Sequence, residues 1–371
     1  MRFLILAAAF FSAAAFAHKP SDSYLSLSVE GAAVRGQWDI ALRDLEFAIG
    51  LDSNGNGEIT WGELRARHTD IAAYALARLS VSADGRNCKL SPTTHLVDEH
   101  SDGTYEVMRF DANCGARPPA SVELAYSLFF DLDPTHRGLL RFERAGTTQT
   151  VVLSPDRPRL AFRAGETSLL AQFLDYLREG IWHIWIGFDH ILFLLSLLLP
   201  SVLIFNKYEW KAAGHFREPF WDVLKVVTSF TVAHSITLSL AALSVVALPS
   251  RLVESTIALS VVLAALNNLK PVVAERRWAV AFAFGLIHGF GFASVLADLG
   301  LPQGALLLAL VGFNLGVEAG QLAIVGAFLP VAYALRGTWF YRYVVFAGGS
   351  AAIALVALIW LVERVFVLKL L

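Results

Sequence analysis

From Ile181 onward the chain repeats apolar runs of about twenty residues, each long enough to cross the hydrocarbon core of a bilayer. No other feature restricts the fold as much. In lipid each backbone polar group must be paired inside its own element, so such runs are read as helices. We read about six spans, over residues 181–205, 221–248, 252–272, 278–296, 305–335 and 343–362. The expected architecture is a polytopic membrane protein, an α-helical bundle of about six transmembrane helices behind an N-terminal extracytoplasmic domain. Whole-chain averages of 56% hydrophobic and 17% charged residues conceal two unlike halves, because most acidic groups precede Phe162. The formal net charge of −2 and the lack of a basic stripe exclude nucleic acid as a partner.

The opening "MRFLILAAAFFSAAAFA" has one arginine, an apolar stretch and a small-residue end, the pattern of a secretory signal over residues 1–17. Cleavage there would leave His18 first, with an amine and imidazole able to chelate copper or nickel; an exposed terminal histidine without a role is the plainer reading. Residues 18–165 would then form an extracytoplasmic domain, followed by an amphipathic interfacial segment over 166–180 and the membrane domain over 181–371. Lys211, Arg217, Lys270, Arg276, Arg277, Arg336 and Arg342, with Lys207, fall in loops on one side, which sets that side inward and locates the protein in the inner (cytoplasmic) membrane. Cys88 and Cys114 are the only cysteines. In an oxidising compartment they are expected to pair as a disulfide worth about 3 kcal/mol.

The exported part alternates with period two in "SYLSLSVEG", "YEVMRFDA" and "SVELAYSLFF", with turn residues between, as in an antiparallel β-sandwich. One stretch departs from it. "DSNGNGEITWGE" sets Asp52, Asn54 and Asn56 at positions 1, 3 and 5 of a twelve-residue loop, Gly57 at 6, Glu58 at 7, Thr60 at 9 and Glu63 at 12. That is the spacing of an EF-hand-like helix-loop-helix, and it suits calcium, which takes six to eight oxygens. Only Asp52 and Glu63 bring charge to the side-chain ligands, so a modest affinity and a structural role are expected.

The spans themselves carry polar groups, and such groups in lipid point to function. They are His183, Asp189 and His190 in the first, His234, Ser235 and Thr237 in the second, Glu254, Asn267 and Asn268 in the third, His288 in the fourth, and Asn314, Glu318 and Gln321 in the fifth. The last three share one helix stripe, and the whole set is expected to converge on one cavity. His183 and His190 raise a difficulty of distance: seven residues of regular helix separate them by about 10.5 Å, too far to share an ion. Either Gly187 breaks the helix, or the two serve separate sites. Gly285, Gly289 and Gly291 around His288 suit close helix packing.

"HIWIGFDH" and "IHGFGFASVL" resemble the HupE/UreJ family of membrane proteins, which is linked to nickel supply. The match carries His183, Gly187, Asp189 and His190 onto one family motif, and His288 and Gly289 onto another. Ile184 stands where the family has proline and Val295 where it has glutamate, and Glu318 is the carboxylate expected to stand in. The exported domain resembles the extension of a longer branch of that family. The resemblance implies a nickel or cobalt permease. His183 would receive the ion, Asp189, His190, His234 and His288 would bind it, Glu254 and Glu318 would tune charge, Asn314 and Gln321 would line the path, and Asn267 and Asn268 would mark the inward exit. Two other readings of the residues stay open: a zinc-dependent intramembrane hydrolase, in which histidines and Asp189 leave a position for water, and a noncatalytic sensor or assembly factor.

Overall fold

The computed structural model describes residues 21–100, 103–163, 169–206, 209–243, 245–246, 248–273, 275–291 and 303–366. The expected signal segment, His18, Lys207 and Val295 lie outside the described residues. The chain divides into two compact units, one built on Pro20–Tyr176 and the other on Leu177–Ala293 and Phe313–Leu371.

In the first unit the alternating segments form strands β1 (Asp22–Glu30), β2 (Ala33–Ala41), β3 (Leu79–Ala83), β4 (Arg86–Asn87), β5 (Lys89–His100), β6 (Gly103–Asn113), β7 (Ser121–Tyr126), β8 (Arg137–Arg144), β9 (Thr147–Leu153) and β10 (Arg159–Arg163). One sheet runs β5-β6-β2-β1-β8-β9 and the second β10-β7-β3-β4. The expected all-antiparallel pairing is corrected at one place, since β1 and β8 run parallel in the middle of the larger sheet. That order brings two distant segments side by side, which local alternation does not encode. Between the sheets lies a shared core that includes Trp38, Phe110, Tyr126, Phe142 and Phe162, with Phe142 and Phe162 stacked at 4.1 Å across it. Cys88 and Cys114 are disulfide-bonded.

Between β2 and β3 the chain is helical: α1 (Leu42–Ile49), α2 (Trp61–Ala66) and α3 (His68–Leu76). Leu45, Leu64 and Ile71 anchor these helices in the sandwich core. Thr60 caps α2, accepting from the Glu63 backbone N–H while the Glu63 side chain reaches back to the Thr60 N–H.

The second unit carries α4 (Leu169–Ile186, of which the part from Leu177 belongs here), α5 (Phe188–Leu198), a hairpin of β11 (Leu203–Asn206) and β12 (Glu209–Ala212), then α6 (Arg217–Ala242), α7 (Ser250–Leu269), α8 (Arg277–His288), α9 (Gln303–Leu335, of which the part from Phe313 belongs here) and α10 (Gly349–Phe366), the last preceded by a π-helical stretch, Phe340–Gly348. Among the described residues, helices within Arg217–Ala242, Ser250–Leu269, Leu306–Leu335 and Phe340–Phe366 are each long and apolar enough to cross a membrane, and α4 with α5 makes a further, bent candidate. Four to five such spans are thus seen among the described residues; the expected six are not all seen there, and residues 292–302, which include the end of the expected fourth span, lie outside them. The first expected span is bent at Gly187, near its start, and gives way to a hairpin strand at Leu203, and the helix described in the fourth has twelve residues up to His288. Apolar side chains such as Val232, Ile236, Leu259, Leu263, Leu315 and Leu355 point outward from these helices, as lipid-facing residues must.

Candidate metal centre

The bend at Gly187 resolves the distance problem between His183 and His190. Helices α4 and α5 meet there at 72°, with Gly187 in an extended conformation at the start of α5. His183 and His190 now face each other across the joint, their ring centroids 4.6 Å apart. A Cβ at position 187 would lie 2.7 Å from the His183 carbonyl oxygen and 2.9 Å from His190 Nδ1. Only glycine leaves room for the His183 carbonyl and the His190 imidazole.

Close backbone contacts bring the remaining groups in. A Cβ on Gly180 would overlap the Phe313 carbonyl, and one on Gly316 the Leu177 carbonyl, so α4 and α9 touch through their main chains. In the same way Gly285 of α8 and Gly289 just after it rest against Phe230 and His234 of α6. Such small-residue contacts let helices approach without a hydrophobic driving force. They bring His234 of α6 and His288 of α8 beside the joint: His183–His234 centroids are 6.4 Å apart and His190–His288 5.3 Å. Phe193 and Phe230 lie against His288 at 4.8 and 5.3 Å and close that side with apolar rings.

One ligand atom each from His183, His190 and His234 lies within 4.8 Å of the other two. The protonation pattern follows from their partners. Asp189 Oδ1 is 3.0 Å from His190 Nδ1 and also accepts the His190 backbone N–H at 2.9 Å, and a carboxylate can only accept. His190 therefore keeps its proton on Nδ1 and presents the Nε2 lone pair. Asn314 Oδ1 stands 3.2 Å from His234 Nδ1 and imposes the same tautomer there. Among the described residues, the buried His190 Nε2 and His234 Nε2 have no hydrogen-bond partner. Leaving such an atom unmet costs about 1–3 kcal/mol, and a cation relieves it. An imidazole bonded through its far nitrogen to a carboxylate is the usual arrangement of a metal-ligating histidine. His288 bonds through Nε2 to Ser260 at 2.9 Å, while its Nδ1 is buried and has no hydrogen-bond partner among the described residues.

The other polar residues form a seam and its surroundings. Thr228 donates to Glu318 at 2.9 Å, and Thr231 to Gln321 at 3.2 Å, so α6 and α9 are joined by hydroxyl–carboxylate and hydroxyl–amide bonds beside the His234–Asn314 contact. Glu254, expected to tune the site's charge, instead lies 3.5 Å from Arg364. Asn267 ties off the end of α7, donating to the Val273 carbonyl and accepting from the Val272 and Val273 backbone N–H groups. Asn268 is buried and donates to the Ser196 carbonyl and the Ser350 hydroxyl. Ser260, Thr228 and Thr231 escaped sequence reading. Each is a small hydroxyl of the kind that also bonds to its own helix, as Thr231 does to Val227 O.

In the first unit the loop 52–63 is already ordered by its acidic ends. Both Asp52 oxygens accept backbone N–H groups, from Gly55 and Gly57, each at 2.7 Å. Asn54 and Asn56 accept the N–H groups of Asn56 and Glu58. Glu63 receives the Ser53 and Thr60 hydroxyls and the Asn54 amide. Bonds from the Thr60 N–H and hydroxyl hold the Glu63 carboxyl down at about 2, so it stays charged at any ordinary pH. Oxygens from every expected side-chain position thus surround one loop, apart from Glu58, for which no side-chain bond is shown.

A family model described as HupE / UreJ protein matches residues 161–364. That is more than half of the chain, and the chain belongs to this family. A search of curated proteins found no match.

Proposed function

We propose that this HupE/UreJ member carries a divalent transition-metal ion, nickel or cobalt, across the cytoplasmic membrane, with its sandwich domain on the outer side. His183, His190 and His234 hold the ion through ring nitrogens, and His288 completes or hands on the coordination. Asp189 and Asn314 fix the two tautomers, and Glu318 and Gln321 continue the polar seam. The observation that carries this reading is the pair of buried, unmatched Nε2 atoms of His190 and His234 beside His183, each oriented by an acceptor behind it. Imidazole with nearby carboxylate suits borderline divalent ions. One anionic group among neutral imidazoles leaves a bound dication undercompensated, which favours letting it go again.

The test is nickel accumulation by cells expressing wild type or His190→Ala at equal membrane abundance. We expect uptake above background in the first and at least a tenfold loss in the second. Equal accumulation in both would overturn the proposal. We further infer that Asp52, Asn54, Asn56, Glu58 and Glu63 bind calcium and clip α1 to α2; the oxygen-only donor set and the twelve-residue spacing support it.

A further inference from the structure

The sandwich buries an acid where an apolar residue belongs. Strand β6 sends Met108, Phe110 and Ala112 into the core. Side chains alternate along a strand, so Glu106 shares their face, and it has 0% exposure. His95 of β5 pairs with Met108 and is thereby the diagonal neighbour of Glu106. Its Nδ1 stands 2.5 Å from Glu106 Oε1. His68, the first residue of α3, stacks on His95 with centroids 4.3 Å apart and planes 10° from parallel, and Trp61 closes edge-on against it at 5.5 Å. Among the described residues, Glu106 Oε2 and His68 Nε2 are buried without a hydrogen-bond partner. Burial pushes the Glu106 carboxyl up to about 7 and both imidazoles down.

An acid and a ring nitrogen sequestered from water with unmet atoms are unfavourable unless something binds them. One ligand atom from each of the three residues lies within 4.8 Å of the others. We propose that His68, His95 and Glu106 form a second metal site, which takes a divalent ion of the zinc–nickel class and leaves a fourth position for water. Two imidazoles and one carboxylate are a donor set of that class, with bonds of about 2.0–2.2 Å. Tetrahedral ligands at that length stand roughly 3.4 Å apart, so the three atoms, none more than 4.8 Å from another, need to shift by no more than about 1.4 Å on loading. His68 sits at a helix start, outside the sheet ladder, and can move that far. The site is distinct from the loop 52–63, whose donors are all oxygen, and it stands whether or not the intramembrane centre carries ions.

The experiment is zinc binding to the purified full-length protein in detergent with calcium present, read by equilibrium dialysis and elemental analysis. Wild type is expected to bind one more zinc per chain than His68→Ala or Glu106→Gln, and the cobalt-loaded wild type to show visible absorption in excess of what either variant shows. In a His190→Ala background the His68-dependent ion should remain, which separates the two centres. Because His68 lies off the sheet, His68→Ala tests the site even where a strand variant fails to fold. The same zinc stoichiometry and cobalt spectrum in wild type and His68→Ala would overturn the proposal, as would a His68-dependent ion held only at millimolar zinc.

Discussion

At the scale of single residues, what an imidazole does here is set by the group behind it. Asp189 holds the His190 proton on Nδ1, and Asp189→Asn removes that demand by offering an amide able to donate as well as accept. Loss of such a partner lowers metal affinity about 10–100-fold; we expect a fall of that size in nickel binding by isothermal titration, with folding intact. His136 illustrates the opposite use of the same side chain. It is fully buried between Ser21 and the Tyr126 hydroxyl, and burial lowers its pKa from 6.5 to about 3. The unfolded chain takes up a proton between those values and the folded one does not. Stability present above pH 6.5 is therefore lost as pH falls toward 3, by about 5 kcal/mol in all. Glu106, raised from 4.5 to about 7, acts in the other direction between those two values, so the steepest decline is expected below pH 4.5. Unfolding midpoints of wild type and His136→Gln between pH 7 and 3.5 check this, and parallel profiles would remove His136 as the cause. The intramembrane histidines and Asp189 were legible in the sequence because ionisable groups stand out among leucines. Glu106 was legible in principle, being an acid in phase with Met108 and Phe110, but charge in a soluble domain draws less notice.

At the scale of elements, spacing was informative where it conflicted with a regular helix. His183 and His190 cannot share an ion along seven straight residues, and Gly187 supplies the bend. Hydropathy alone measured length and not direction, so the first run read as a single span. Pairings between distant segments, such as Glu254 with Arg364 or β1 with β8, leave no local trace at all. The loop 52–63 could be laid out position by position from the sequence, and the structure shows its polar side chains bonded to the loop's own backbone. In it, Glu63 both caps α2 and holds Ser53 and Asn54. Calcium must compete with those bonds, so the affinity expected is modest. A calcium titration followed by intrinsic fluorescence should saturate for wild type, while Glu63→Gln should weaken binding at least tenfold; an unchanged curve would end the calcium assignment.

At the scale of the whole molecule, two kinds of core coexist in one chain. The sandwich core is aromatic and closed by a covalent link between Cys88 and Cys114. Reducing that link should destabilise the first unit by about 3 kcal/mol, measurable as a lowered melting midpoint in circular dichroism with and without reductant. The helical unit leaves apolar side chains outward and gathers its polar ones inward, which composition averaged over the chain obscures and segment-by-segment reading recovers. The 72° joint at Gly187 has one more consequence. His183 stands on one arm of it and His190 on the other, so an ion gripped by both is a rivet through the elbow. Under the proposed function a shared ion would tie the two arms at one angle, and its departure would leave the joint to the packing of each arm against its own neighbours.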